Sequence, residues 1–145
     1  MGSSPFLHGN ILAFKTFEGH LNQDLNQDGD FRDWIIRYYD IQTQKVFNIG
    51  TIGHSPVVYD QRIAFATSEN SIKEDLNEDG VIDGNIIQYF DLTSNQLVNI
   101  KELGIEPDLF EDKISYYRWE QWLNTDQTHD VDEEDPVLGL HLIRD

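Results

Sequence analysis

The stretch RIAFATSENSIKEDLNEDGVIDGNIIQYFDL, residues 62–92, contains the clearest indication of the fold. It begins and ends with the runs RIAFATS and NIIQYFDL, whose β-branched and aromatic residues are typical of strands. Nearly continuous apolar character predicts that both are central strands, covered on both faces. Between them lies DLNEDGVID, which is rich in the residues that turns prefer. The stretch therefore predicts two neighbouring strands joined by an acidic loop.

The same pattern recurs along the chain. The shorter runs VVYD and QLVNI flank this stretch, which gives four strands per unit. Shifting the chain by 51 residues aligns residues 4–54 with 55–105, with 18 identities, and a third copy starts at Glu106. Repeats of this period indicate supersecondary units that stack on one another. Stretches with helical periodicity are absent, and YYRWEQWLN, residues 116–124, is interpreted as an extension of a strand.

Four antiparallel strands per repeat predict an all-β fold built from β-propeller-type blades. We place blade 1 at residues 5–54, blade 2 at 55–105 and blade 3 at 106–145, with the last blade incomplete after VLGLHLI. Residues 1–4 are interpreted as a cloning remnant. Because a propeller needs about four to eight blades, either two copies associate into a ring or the chain belongs to a longer protein.

The composition narrows the classes of function. The 145 residues carry 27 acidic against 10 basic side chains, a net charge of -17, which argues against binding nucleic acid. The acidic excess suits either bound cations or a surface hydrated in high salt. Cysteine is absent, and no apolar run is long enough for a membrane span.

The second acidic loop, residues 75–84, has the spacing of a calcium loop. Ca²⁺ takes six to eight oxygen ligands, and alternate side chains of a tight turn can point at one ion. Gly80 at position 6 permits the turn, after which position 7 offers a backbone carbonyl. The predicted ligands are Asp75, Asn77, Asp79, the carbonyl of Val81, and Asp83.

The first acidic loop, residues 24–33, repeats this pattern with one change. Its closing carboxylate lies one residue later, because position 9 is Arg32. The predicted ligands are Asp24, Asn26, Asp28, Asp30 and Asp33. A third acidic segment, residues 126–135, has Val131 in place of the glycine, so we expect weak or no binding there.

An EF-hand is rejected, because that motif sets its loop between helices and closes it with Glu at position 12, where this chain has Ile35 or Ile86. The missing oxygens are expected from Glu18 and Glu69, which lie six residues before each loop and align with Glu120. The alternative interpretation makes them solvated turn residues. The alternative for the loops themselves is a pair of metal-free acidic turns. Mg²⁺ is disfavoured, since it avoids all-protein cages.

The phrases IAFAT (63–67), DLNEDG (75–80) and IIQYFDL (86–92) make the chain resemble TolB-like, WD-like β-propeller repeats of surface or secreted proteins. The resemblance covers nearly all of residues 5–145 and implies that a calcium loop braces each complete blade. Integrin-type propellers share the D-x-N-x-D-G-x-x-D loop, but their other blade phrases are absent here.

The sequence therefore predicts a non-catalytic, calcium-binding propeller module, a structural or recognition scaffold with about two Ca²⁺ per chain. Its location is expected to be extracellular or at the cell surface, with a protein or glycan ligand. The five histidines are scattered, and no nucleophile-elbow motif accompanies the serines, so no catalytic residue is predicted. The alternative function is an accessory or substrate-gating propeller of a larger hydrolase, either a peptidase or a glycosidase.

Overall fold

The computed structural model describes residues 2–120 and 135–144. Within these residues the chain forms three antiparallel sheets and two single-turn helices. The first sheet consists of β1 (Gly2–His8), β2 (Ile11–Phe17), β3 (Trp34–Asp40) and β4 (Lys45–Ile52). The second sheet consists of β5 (His54–Tyr59), β6 (Arg62–Ser68), β7 (Asn85–Asp91) and β8 (Gln96–Leu103). The third sheet consists of β9 (Ile105–Phe110), β10 (Lys113–Trp119) and β11 (Pro136–Leu142).

Each sheet is a meander in which strands adjacent along the chain pair with one another. The all-β prediction is confirmed, as are the four strands of the second copy and the central positions of β6 and β7. Of the 116–124 stretch, residues 116–119 belong to β10, and residues 121–124 lie outside the described part of the chain. The prediction of a chain without helix missed α1 (Glu18–Leu21) and α2 (Glu69–Ile72). A single turn is too short to produce a helical period.

The backbone repeats itself along with the sequence. Ser4, Ser55 and Glu106 each precede a proline and have left-handed φ values of 52°, 51° and 50°. In β1 and β5 these residues lie where the pairing register shifts, so the first strand of each sheet carries an irregularity at the same point. The 51-residue sequence repeat is thus also a repeat of backbone conformation.

The apolar core lies between the sheets. Ala13 and Ile36 of the first sheet pack against Val58, Ile63 and Phe65 of the second. A second cluster joins the opposite face of the second sheet to the third sheet and is formed by Ala64, Ala66, Ile87, Leu109, Ile114, Tyr116 and Ile143. The first strands also meet, since β1 contacts β5 and β5 contacts β9. The second sheet is therefore the middle layer of a stack.

Glycine allows close approach where one sheet passes into the next. A Cβ on Gly53 would lie 2.7 Å from Cγ1 of Ile36 and 2.9 Å from Cδ2 of Phe65. Gly104 has the same relation to Tyr116, and Gly2 to Phe14. Residues 2–4, interpreted from the sequence as a cloning remnant, form the beginning of β1, where Gly2 pairs with Thr16.

Candidate metal sites

Each acidic loop leaves its sheet at a buried glutamate. Glu18 directly follows β2 and is 0% exposed, and Glu69 directly follows β6 and is 1% exposed. Their backbone N–H groups donate across the base of the loop, to the carbonyls of Asp33 and Gly84, both at 3.0 Å. These bonds continue the β2–β3 and β6–β7 ladders by one step. The loops thus begin from a fixed, water-excluded base.

The glutamate carboxylates hold the loop backbone. Oε1 of Glu69 accepts the N–H groups of Leu76 at 2.7 Å and Asn77 at 3.3 Å. Oε1 of Glu18 accepts the equivalent N–H groups of Leu25 and Asn26. The other carboxylate oxygen of Glu18, Oε2, accepts the N–H of Asp33 at 3.3 Å. The interpretation of these glutamates as solvated turn residues is therefore wrong.

The turn at the tip of each loop has the predicted geometry. Gly29 and Gly80, at position 6, have φ values of 100° and 89°, which glycine adopts without steric cost. Their N–H groups donate to Oδ2 of the first loop residue, Asp24 at 3.0 Å and Asp75 at 2.9 Å. Positions 1 and 6 therefore close on one another in both loops.

The side chains at positions 3 and 5 are also paired in both loops. Nδ2 of Asn26 donates to Oδ2 of Asp28 at 3.0 Å, and Nδ2 of Asn77 donates to Oδ2 of Asp79 at 2.9 Å. The other Asp79 oxygen accepts the N–H of Val81 at 2.8 Å. The predicted ligand side chains of positions 1, 3 and 5 thus occupy equivalent places in the two loops.

The first loop gathers its carboxylates around the buried base. Ligand oxygens of Glu18, Asp30 and Asp33 all lie within 4.8 Å of one another, which no other three acidic or histidine side chains achieve in the described residues. Burial, and then the neighbouring Asp28 carboxylate, raise the pKa of Asp33 to about 6 from its usual 3.8. This crowding of negative charge suits a divalent cation with oxygen ligands.

The second loop differs because two of these acids are replaced. The counterparts of Asp30 and Asp33 are Val81 and Gly84, and Asp83 lies one residue earlier with an exposed side chain. Gly84 takes the place beside the glutamate, since a Cβ there would lie 3.3 Å from Oε2 of Glu69. The loop with the more regular ligand spacing is therefore the one with fewer carboxylates gathered at its base.

Two asparagines that sequence reasoning missed fix the loops to the last strand of each sheet. Nδ2 of Asn48, in β4, donates to the carbonyl of Leu25 at 2.7 Å. Nδ2 of Asn99, in β8, donates to the carbonyl of Leu76 at 2.8 Å. Their identity across the two copies was the available signal, because few polar residues of these strands repeat.

The third acidic segment lies outside the described residues, except Asp135. Its base follows the same plan, since Glu120 is buried and its N–H donates to the carbonyl of Asp135 at 3.0 Å. The described residues contain no helix long and apolar enough to cross a membrane. No protein-family model matches the chain, and no curated protein matches it.

Proposed function

We propose that this chain is a calcium-stabilised, non-catalytic scaffold module in which an ion braces each complete acidic loop. The observation that carries the proposal is the buried glutamate at the base of both loops, with its carboxylate turned to the loop backbone. Burying an ionised carboxylate is costly unless hydrogen bonds and opposite charge compensate it. Backbone N–H groups supply the hydrogen bonds, and a cation would supply the charge.

In the first loop, Glu18, Asp30 and Asp33 form the ligand group at the base. Asp24, Asn26 and Asp28 extend it toward the tip. Six such side chains can supply the oxygens that Ca²⁺ takes, and their number exceeds what Mg²⁺ normally receives from a protein. The raised pKa of Asp33 is the response expected of a carboxylate in a crowded site without its cation.

In the second loop, the proposed ligands are Asp75, Asn77, Asp79, Asp83, the carbonyl of Val81, and Glu69. The shared backbone turn supports an ion in the same place as in the first loop. Because fewer carboxylates lie near its base, this site is expected to bind more weakly.

We further propose that the sheets are propeller blades of the TolB-like kind. Three features support this: meanders in chain order, a 51-residue period, and first strands that lie side by side. A location outside the cell would suit the calcium sites, because sites of roughly 10⁻⁴–10⁻³ M affinity are filled there. The accessory role in a hydrolase stays a prediction, which the full-length gene would test.

Thermal unfolding of Asp24→Asn and Asp75→Asn tests the calcium proposal. Asparagine removes the charge and keeps one of the two oxygens that accept turn N–H groups in each loop. In calcium, each variant should melt roughly 5–10 °C lower than the parent, since a filled site contributes about 2–3 kcal/mol. In chelator the loss should shrink to that of one turn hydrogen bond, about 1 kcal/mol.

Asp60→Asn is the matched control, because Asp60 is an exposed turn carboxylate outside both loops. It should leave the melting temperature unchanged in both buffers. Equal losses for the loop variants in calcium and in chelator would show that these aspartates are turn residues only.

A further inference from the structure

Within residues 2–120 and 135–144, the first and third sheets each leave one face uncovered. The first outer face is the side of the first sheet turned away from the second, and it carries Leu7, Leu12, Phe14, Tyr39 and Val46. The second outer face is the side of the third sheet turned away from the second, and it carries Tyr117, Leu138 and Leu140. Both faces present apolar side chains to water.

On the first outer face, Leu7 lacks the neighbouring sheet that covers the equivalent residues of the other two repeats. Leu7 is 57% exposed, whereas its counterparts Val58 and Leu109 are 1% and 5% exposed. Val58 is covered by the first sheet and Leu109 by the second. The position is therefore buried wherever a preceding sheet exists.

On the second outer face, Leu138 lacks the following sheet that covers the equivalent residues of the other two repeats. Leu138 is 67% exposed, whereas its counterparts Ile36 and Ile87 are both 0% exposed. Ile36 is covered by the second sheet and Ile87 by the third. This position is buried wherever a following sheet exists, so the two outer faces are opposite halves of one interface that the chain already forms twice.

We propose that the first outer face of one copy binds the second outer face of another copy, which makes a head-to-tail interface that repeats the packing of the two internal ones without the fourth strand. A second copy of this chain fits the first outer face, because the second outer face is the repeat counterpart of the first-sheet surface that packs against β5 and β6. Leu138 and Leu140 would lie against the shallow apolar groove formed by Leu12, Phe14, Tyr39 and Val46.

A buried hydroxyl on the first outer face marks where the new interface would differ from the internal ones, because the described third sheet has three strands and no counterpart of Ile52. Thr67, its counterpart, donates across the sheet boundary to the carbonyl of Ile52 at 2.9 Å. Thr16 Oγ1 is buried and has no hydrogen-bond partner in the described residues. Two copies joined through two such interfaces hold six sheets, within the range that closes a propeller, and heterologous interfaces close into rings when the rotation permits.

The test is the mass in solution, measured by sedimentation in calcium buffer. The parent chain should sediment at twice its 16.9 kDa mass. Leu7→Asp places a charge in the first outer face, and the double variant Leu138→Asp with Leu140→Asp places two charges in the second. Each change should prevent the apolar contact between copies. Each variant should be a monomer with a cooperative melting transition, because all three leucines are exposed within one copy.

Mixing the two variants shows whether the interface is head-to-tail. The Leu7→Asp chain keeps an intact second outer face and the double variant keeps an intact first one, so the mixture can form one interface. Its average mass should therefore exceed that of either variant alone. The proposal is overturned if the parent chain stays at 16.9 kDa at its highest soluble concentration. It is also overturned if either variant remains a dimer, or if mixing leaves the mass unchanged.

Discussion

At the scale of single residues, the acidic loops depend on carboxylates that do two different jobs. Glu18 and Glu69 are buried and accept N–H groups of the loop backbone, so they organise the loop whether or not an ion is present. Asp33 is instead partly buried beside Asp28, and burial first and then that carboxylate raise its pKa. The first pair is expected to stabilise the loop in every buffer, whereas Asp33 should be unfavourable in chelator and favourable once a cation is bound.

Asp33→Asn separates these roles. In chelator the variant should melt higher than the parent, because it removes a half-buried charge that repels its neighbours. In calcium it should melt lower, because a ligand is lost. Melting curves in both buffers check the prediction, and a loss of stability in chelator would contradict the account of crowding.

Tyr116 makes the protein sensitive to alkali. Burial, and then the nearby Glu102 carboxylate, raise its pKa to about 12 from the usual 10.0. Between these values the folded chain keeps a proton that the unfolded chain has released, so stability falls as pH rises, by roughly 1–3 kcal/mol in all. Tyr116→Phe should reduce this loss, and Phe14 and Phe65 occupy the equivalent positions. Denaturant unfolding at pH values between 9 and 12 measures it, and identical pH dependence in both proteins would refute it.

At the scale of elements, the sheets are joined by apolar contacts and few polar ones. Thr67 is the clearest polar link, since its hydroxyl donates to the Ile52 carbonyl and also lies 2.9 Å from Oε1 of Gln88. In the first sheet the equivalent residues are Thr16 and Arg37, and Thr16 makes no such bond. The threonine hydroxyl is therefore expected to contribute more to the free energy of unfolding at position 67 than at position 16.

Substituting each threonine by valine measures how much its hydroxyl contributes to stability. Thr67→Val should lower the free energy of unfolding by about 1–3 kcal/mol, because it leaves the Ile52 carbonyl without its donor. Thr16→Val, the matched control, should be neutral or slightly stabilising, since it removes a buried hydroxyl that has no hydrogen-bond partner among the described residues. Denaturant titration of both variants measures this, and equal losses would contradict it.

Strands were predictable from sequence, and so was the turn of each acidic loop. Runs such as RIAFATS are long and apolar enough to specify a strand locally, and the position-6 glycines specify the turn. The one-turn helices α1 and α2 were not predictable, because they follow from the path of the chain between two paired strands rather than from a period.

The base of the site was predictable in position but not in environment. The register of Glu18, Glu69 and Glu120 pointed to them, whereas their burial depends on the last strand and the loop folding over them. Spacing also favoured the second loop, yet the closest carboxylates lie in the first. That outcome depends on how Asp30 and Asp33 turn back toward Glu18, which a one-dimensional spacing does not contain.

At the scale of the whole molecule, three stacked sheets carry a net charge of -17 and bury much of their apolar surface between layers. Such charge disfavours the compact state through self-repulsion. Bound calcium would relieve it at the two complete acidic loops. The uncovered outer faces and the acidic loops are separate features, so association and metal binding can be tested independently.

Calorimetric titration of Ca²⁺ into chelator-stripped protein at moderate salt measures whether the acidic loops bind calcium and how many sites the chain has. About two sites per chain are expected, because two complete acidic loops with buried glutamate bases are present. One site should be lost in Asp24→Asn and the other in Asp75→Asn. Absence of calcium binding in the parent chain would contradict the account and leave the loops as acidic turns.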